Sequence, residues 1–182
     1  MRLVFSLDRA PLAALTLLGM LALASPARSE AAEFVHPTLG YRLWYPDDWV
    51  VDQKLLDLGG PFWVASVRPE DYVHGGILPP GGADISVEPL SGVQDEDTAL
   101  NRLSTEGQPV RRQQTLAGRS VRRLEFRYKR GSNVELQRVA VAARIGERVF
   151  LFTLAYRTEA RRGTDWERVL SHMIESAKEG NT

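Results

Sequence analysis

The 182-residue sequence predicts an α+β fold, a three-layer sandwich around a central antiparallel sheet. Three observations carry that expectation. Segments such as Ala83 to Val87 alternate apolar and polar residues with a period of two, the mark of strands. The strands follow one another as hairpins, without the strand-helix-strand rhythm that a parallel sheet needs. In Arg148 to Arg157, Phe150, Phe152, Leu154 and Tyr156 alternate with Val149, Leu151, Thr153 and Ala155, so both faces of that strand require a cover.

Residues 1–29 read as a secretory signal peptide. Arg2 and Arg9 provide a basic start, Leu12 to Ala24 is an unbroken apolar or small run, and Ala27 with Ser29 or Ala31 suits signal peptidase. The run falls short of the roughly 20 residues that a membrane span needs, so export to a periplasm or a thylakoid-lumen equivalent is expected. The sequence has no cysteine, which excludes lipid attachment after the run and leaves the core to hold without disulfides. Residues 30–182 form one expected domain. Its charge is uneven: Glu30 to Val110 carries 4 basic and 14 acidic residues, and Arg111 to Thr182 carries 16 basic and 8 acidic.

The first strand is Tyr41 to Tyr45, stopped by Pro46-Asp47-Asp48, which delivers Trp49 after a turn. Val50 to Gly60 reads as a polar connection. Phe62 to Pro69 is a second, buried strand, and Pro69 to Gly82 is a long loop of the kind that often carries function. Ala83 to Pro89 is a strand buried on one side, with Asp84, Ser86 and Glu88 outward. Asp95-Glu96-Asp97 caps a short helix with Ala99, Leu100 and Leu103 on its apolar face. Gln113 to Leu116 and Ser120 to Tyr128 form a hairpin, with Leu124, Phe126 and Tyr128 inward and Arg123, Glu125 and Arg127 outward. Val134 to Ile145 and Arg148 to Arg157 form the longest hairpin, turning at Gly146-Glu147. Thr164 and Glu167 have capping-box spacing ahead of a helix that buries Trp166, Val169, Leu170, Met173, Ile174 and Ala177 and leaves Arg168, His172 and Glu175 wet.

Few residues suit catalysis. There is no Gly-x-Ser-x-Gly elbow, no phosphate-cradling glycine loop and no dinucleotide fingerprint. The carboxylates at Asp47-Asp48 and Asp95-Glu96-Asp97 are explained by a turn and a helix cap. Of the three histidines, His36 lacks a sequence neighbour to work with, and His172 falls on a solvated helix face. His74 stands with Glu70 and Asp71 ahead of Gly75-Gly76, a candidate metal-ligand set of oxygen and nitrogen donors. Eight cations between Arg111 and Arg130 accompany one acid, Glu125. Arg119, Arg123, Arg127, Lys129 and Arg130 are the candidate partner-binding residues of that stretch, fitted to an acidic protein, a lipid head group or a polyanion. Export disfavours nucleic acid.

Gly40 to Trp49, the strand Ala83 to Pro89 and the closing helix Trp166 to Ala177 together resemble the PsbP family, the extrinsic proteins of the photosystem II oxygen-evolving complex, and its wider superfamily. The resemblance spans the expected domain. It implies a six- or seven-stranded antiparallel sheet between helices. It also implies a non-enzymatic module that docks on a membrane protein complex, with calcium as the associated ion and photosynthesis as one setting. A monomer, peripheral to the membrane at most, is expected. The chain departs from the family in its short N-terminal tail and in lacking the anchoring cysteine of cyanobacterial members. The alternative is a periplasmic protein that binds a small ligand or a metal ion through Glu70, Asp71 and His74.

Overall fold

A computed structural model describes residues 31–72, 76–93, 95–103, 109–116, 118–131, 133–159 and 163–179. The stretch read as a signal peptide, His74 and the side chain of Thr164 lie outside the described residues.

The strands divide between two antiparallel sheets. The small one contains β1 (Ala31–Val35), β2 (Tyr41–Pro46) and β10 (Lys178–Glu179), in the order β1-β2-β10. The large one contains β3 (Val50–Val51), β4 (Phe62–Ala65), β5 (Ala83–Leu90), β6 (Val110–Leu116), β7 (Arg119–Arg130), β8 (Val134–Ile145) and β9 (Arg148–Arg157). Its order is β3-β4-β5-β9-β8-β7-β6. The helices are α1 (Gln53–Asp57), α2 (Glu96–Asn101) and α3 (Gly163–Ser176). The antiparallel α+β expectation and the seven strands of the larger sheet agree with this architecture. The aromatic strand Tyr41 to Tyr45 belongs to the separate small sheet, which the sequence did not foretell.

One face of the large sheet, here called the helix face, lies under α3 and the small sheet. Tyr41, Leu43, Phe62, Phe150, Phe152, Leu154, Leu170 and Met173 meet there in one apolar cluster. The Pro46 carbonyl accepts from the Trp49 amide at 3.1 Å, and that turn sets Trp49 edge-on to Trp166 of α3, with ring centroids 5.6 Å apart. The Trp44 amide donates to Ser176 Oγ at 2.9 Å, tying β2 to the end of α3. The opposite face, called the loop face, is covered less evenly. Helix α2 packs Ala99 and Leu100 over Leu124, Ala140, Ala142 and Leu151 at one end. Leu78 and Tyr72 from the segment after β4 pack over Leu136 and Ala155 at the other. The third layer is therefore one short helix plus a loop, so flanking helices are only partly realised.

Local chemistry accounts for the boundaries. The Asp95 carboxylate accepts from the Thr98 amide at 2.7 Å and starts α2. Asp52 does the same for α1 through the Leu55 amide at 3.0 Å, so the polar connection after Trp49 contains a helical turn. Pro89 lies inside β5, opposite Phe150. It is tolerated because β4 pairs β5 only from Asp84 to Val87, leaving no partner strand to miss the amide that proline lacks. Gly146 has φ +59°, as the first central residue of a type II′ turn demands. The strand order also keeps β3, β4 and β5 of the acidic half on one side of the sheet and β6 to β9 of the basic half on the other.

Leu170 is 1% exposed in the centre of the helix-face core. Replacing it with alanine is expected to cost about 2–5 kcal/mol in denaturant unfolding, whereas Leu58→Ala, at an 85% exposed position, should change stability by less than about 0.5 kcal/mol. Equal losses at the two positions would contradict the packing described.

Candidate functional site

The basic stretch splits by strand periodicity into inward and outward cations. Arg123 lies on the helix face of β7, in step with buried Val121, and only 11% of its side chain is exposed. Its Nε donates to Glu125 at 2.8 Å and its Nη2 donates to Glu167 of α3 at 2.6 Å. The other Glu167 oxygen accepts from the Tyr156 hydroxyl at 3.2 Å. Burial, then the Glu167 carboxylate, pushes the Tyr156 phenol up to about 12. One expectation is corrected here: Arg123 faces α3 instead of solvent, because the helix covers this part of the sheet. Glu167 is engaged by Arg123 and Tyr156, and the capping box read at Thr164 falls on a side chain outside the described residues.

Other cations of the stretch also have partners. Arg122, on the loop face, approaches Asp97 of α2 at 3.6 Å. Arg112 approaches Glu125 at 3.8 Å, and Arg111 donates to Asn101 at 2.6 Å. Arg119 donates weakly to the Ala177 carbonyl at 3.4 Å. At the far end of β7, Arg127, Lys129 and Arg130 are exposed. Arg127 donates to Gln137 at 3.2 Å, and Lys129 stands opposite Glu135 in register.

That far end meets the long loop. A Cβ added at Gly76 would lie 3.6 Å from the Arg130 guanidinium, and one added at Gly131 would lie 2.6 Å from Ile77. The structure thus brings together the basic strand end and the segment after β4, two features that the sequence singled out separately. Within that segment Glu70 and Asp71 sit on an exposed 3₁₀ turn, Pro69–Asp71. Arg68 approaches Glu70 at 3.9 Å and competes for the carboxylate that a cation would use. His74, their proposed companion, lies outside the described residues, and no group of three or more metal-ligating side chains occurs among the described ones.

The remaining histidines have local explanations. His36 is 8% exposed. Its Nδ1 accepts from the amides of Thr38 and Leu39 at 3.2 and 3.1 Å, closing the turn between β1 and β2. Burial lowers its pKa, which favours the neutral ring those two bonds require. It borders an open groove of about 760 Å³, whose other walls include Leu39, Pro61, Leu90 and Arg148. His172 is exposed, as read from the helix period, and its ring lies over Trp44 at 4.3 Å.

Sequence reasoning missed a cluster of half-buried polar side chains on the loop face. Register aligns Ala65, Asp84, Ala155, Arg138 and Phe126 in one row across β4, β5, β9, β8 and β7. The next row is Trp63, Ser86, Thr153, Ala140 and Leu124. Asp84, Ser86, Thr153, Arg138 and Trp63 are all half-buried. Burial pushes the Asp84 carboxyl up to about 6, against the opposing influence of Arg138, the Tyr72 hydroxyl and Arg130. The Tyr72 hydroxyl donates to Asp84 Oδ2 at a long 3.5 Å. Burial, then the Asp84 charge, raises the pKa of Tyr72 in turn. Arg138 Nη2 donates to the Tyr128 hydroxyl at 3.2 Å, and its guanidinium lies 4.8 Å from the Tyr128 ring centroid and 5.8 Å from that of Phe126. Its Nε is buried with no hydrogen-bond partner. A sequence signal existed: Thr153 and Ala155 are a polar and a small residue in a strand that is otherwise bulky.

The raised Asp84 carboxyl makes a signed prediction. A folded-state value of about 6 against an ordinary 3.8 means that the folded chain holds the proton more tightly. This contribution to stability is complete below the ordinary value and is lost as pH rises through the folded one. The advantage in melting temperature of Asp84→Asn over the unsubstituted protein should therefore grow between about pH 4.5 and about pH 7.5. A difference that stays constant over that window would contradict the burial of this carboxyl.

No protein-family model matches the chain, and no curated protein matches it. Among solved structures, a protein from Bacteroides thetaiotaomicron is similar with a TM-score of 0.54 at 11% identity, over 82% of this chain and 48% of its own. This chain thus spans about half the length of that protein, and the likeness shows a shared fold. LpqN of Mycobacterium tuberculosis, described as involved in cell envelope biogenesis, aligns at TM-score 0.46 and 16% identity over 84% of this chain and 91% of its own. The cyanobacterial PsbP (CyanoP) of Synechocystis sp. PCC 6803 aligns at 0.44 and 13% identity, over 88% and 98%.

Proposed function

We propose that this chain is an exported, non-catalytic binding or assembly module that docks on a protein partner, a membrane protein complex. The observation that carries this reading is the meeting of the exposed cations Arg127, Lys129 and Arg130 with the segment around Gly76 and Ile77. Charges at an exposed rim steer association and fix its orientation, and they act mainly on the association rate. Cations engaged with Glu167 or Asp97 hold the fold together, so the outer three are the ones to carry recognition. The sequence resemblance to the PsbP family supports a docking role. Among the described residues no helix is long and apolar enough to cross a membrane, which fits peripheral attachment through a partner.

A photo-crosslinking residue placed at Lys129 in the exporting host should capture one membrane-complex subunit. The pair Arg127→Glu and Lys129→Glu should lower that capture at least tenfold, with an unchanged melting temperature and a weaker salt dependence of what remains. Capture that is equal in the charge-reversed protein would sink this surface as the docking site.

A further inference from the structure

We propose that the free edge of β7 receives an extended acidic segment of the docking partner, which adds to the large sheet as a further antiparallel strand beside Arg127 and Lys129. This rests on the docking reading above and names the partner's chemistry and the way it is held.

Strand β7 runs on past the strand beside it. β6 pairs with it from Leu116 opposite Arg119 to Val110 opposite Glu125, whereas β8 pairs with it as far as Arg130. Among the described residues no strand lies on the β6 side of Phe126 to Arg130. An open space of about 340 Å³, bordered by Val110, Glu125, Phe126, Arg127 and Gln137, stands there instead. Val110, the last residue of β6 on that side, is 48% exposed.

Backbone parity decides what this edge offers. The Thr158 amide donates to the Glu135 carbonyl at 3.1 Å, and Ile145 pairs with Arg148 across the turn at Gly146-Glu147, so the odd-numbered residues of β8 bond β9. Its even-numbered residues therefore bond β7, where Arg138, Leu136 and Val134 stand opposite Phe126, Tyr128 and Arg130. That turns the N–H and C=O of Arg127 and Lys129 to the open side, in step with Glu125, which faces Val110. Unpaired edge groups of this kind are a template for another strand. The side chains select which strand fits. Arg127 and Lys129 are exposed and share one face, with Arg130 exposed beside them. Gln137 and Glu135 lie next to them on β8, away from the open edge, and Glu125 is engaged by Arg123 and Arg112. Acidic residues placed directly opposite Arg127 and Lys129 gain cross-strand charge pairs. The residues between them fall on the side of Phe126 and Tyr128, where apolar side chains fit. A second copy of this edge would set cation against cation, so the charges that admit an acidic segment reject self-pairing.

Amide hydrogen exchange of the unbound protein tests the edge without any variant: Arg127 and Lys129 should exchange at least tenfold faster than Tyr128, whose amide bonds β8. The binding probe is a capped, fluorescein-labelled peptide of alternating glutamate and valine. It should bind the full protein with a Kd of about 1 mM or tighter, slow exchange at Arg127 and Lys129 at least tenfold, and leave Tyr128 unchanged. N-methylation of the glutamates removes the N–H groups that face β7 and should weaken binding at least tenfold, whereas N-methylation of the valines should not. A peptide with lysine in place of glutamate should bind at least tenfold more weakly, an order that Arg127→Glu with Lys129→Glu reverses. Slow exchange at both residues in the unbound protein overturns the proposal, since the edge is then already covered. So does the absence of binding by the glutamate peptide, or binding indifferent to which set of residues is methylated. In that last case charge alone holds the peptide, and the docking surface stands without an added strand. Protection of Arg127 and Lys129 by the peptide, in a protein that captures no membrane-complex subunit from Lys129, overturns the docking reading and leaves the strand-accepting edge in place.

Discussion

The structure depends on one strand that must be kept dry on both sides. Phe150, Phe152 and Leu154 of β9 point into the helix-face core, while Val149, Leu151 and Ala155 point the other way and are also buried. Each of the larger of these side chains is worth about 1.5–3 kcal/mol when removed from water, but only if a second layer exists on its side. The long amphipathic helix α3 and the small sheet serve one face, and α2 with the segment after β4 serves the other. The covers differ in quality. Helix α3 brings a continuous apolar stripe, whereas α2 has six residues and reaches one end of its face. The incomplete cover on the loop face explains why polar side chains survive in the middle of a sheet.

Charge follows the same division. The acidic first half and basic second half of the sequence become opposite sides of the large sheet, because β5 joins β9 at the boundary between them. Helix α2 crosses that boundary and brings Asp97 toward Arg122. Glu167 of α3 reaches Arg123 on the opposite face, so one strand is gripped from both sides by carboxylates carried on helices. Removing either partner of a half-buried pair of this kind strands the other charge, so the pair disfavours other placements of the helix. It tells the helix where to sit along β7.

Periodicity made most of the fold legible. The longest hairpin is found at Val134–Ile145 and Arg148–Arg157, as its alternation and its glycine turn foretell. The wet and buried sides of α3 also follow the helical period. The small sheet was not legible, because Ala31–Val35 is short and shows no apolar-polar alternation and Lys178–Glu179 has two residues; both pair only with β2. The side taken by Arg123 was misread because strand alternation says which residues share a face, not which face is covered. Asp84 was read as a solvated residue for the same reason: the Tyr72 hydroxyl donates to it from 12 positions away, and the charge of Arg138, 54 positions away, acts on it across the sheet. Sequence spacing carries no sign of such meetings, and the small residues Thr153 and Ala155 were the one local hint.

The two faces of the large sheet are therefore covered differently: the helix face is sealed by α3 and the small sheet, and the loop face keeps the half-buried Asp84 and Arg138 beneath a short helix and a loop. A high-resolution crystal structure of the protein tests this most directly. The Asp84 carboxylate and the Arg138 guanidinium should be found apart, the carboxylate beside the Tyr72 hydroxyl and the guanidinium on the Tyr128 and Phe126 rings. A direct ion pair between the two, closed over by side chains and free of solvent, would contradict it.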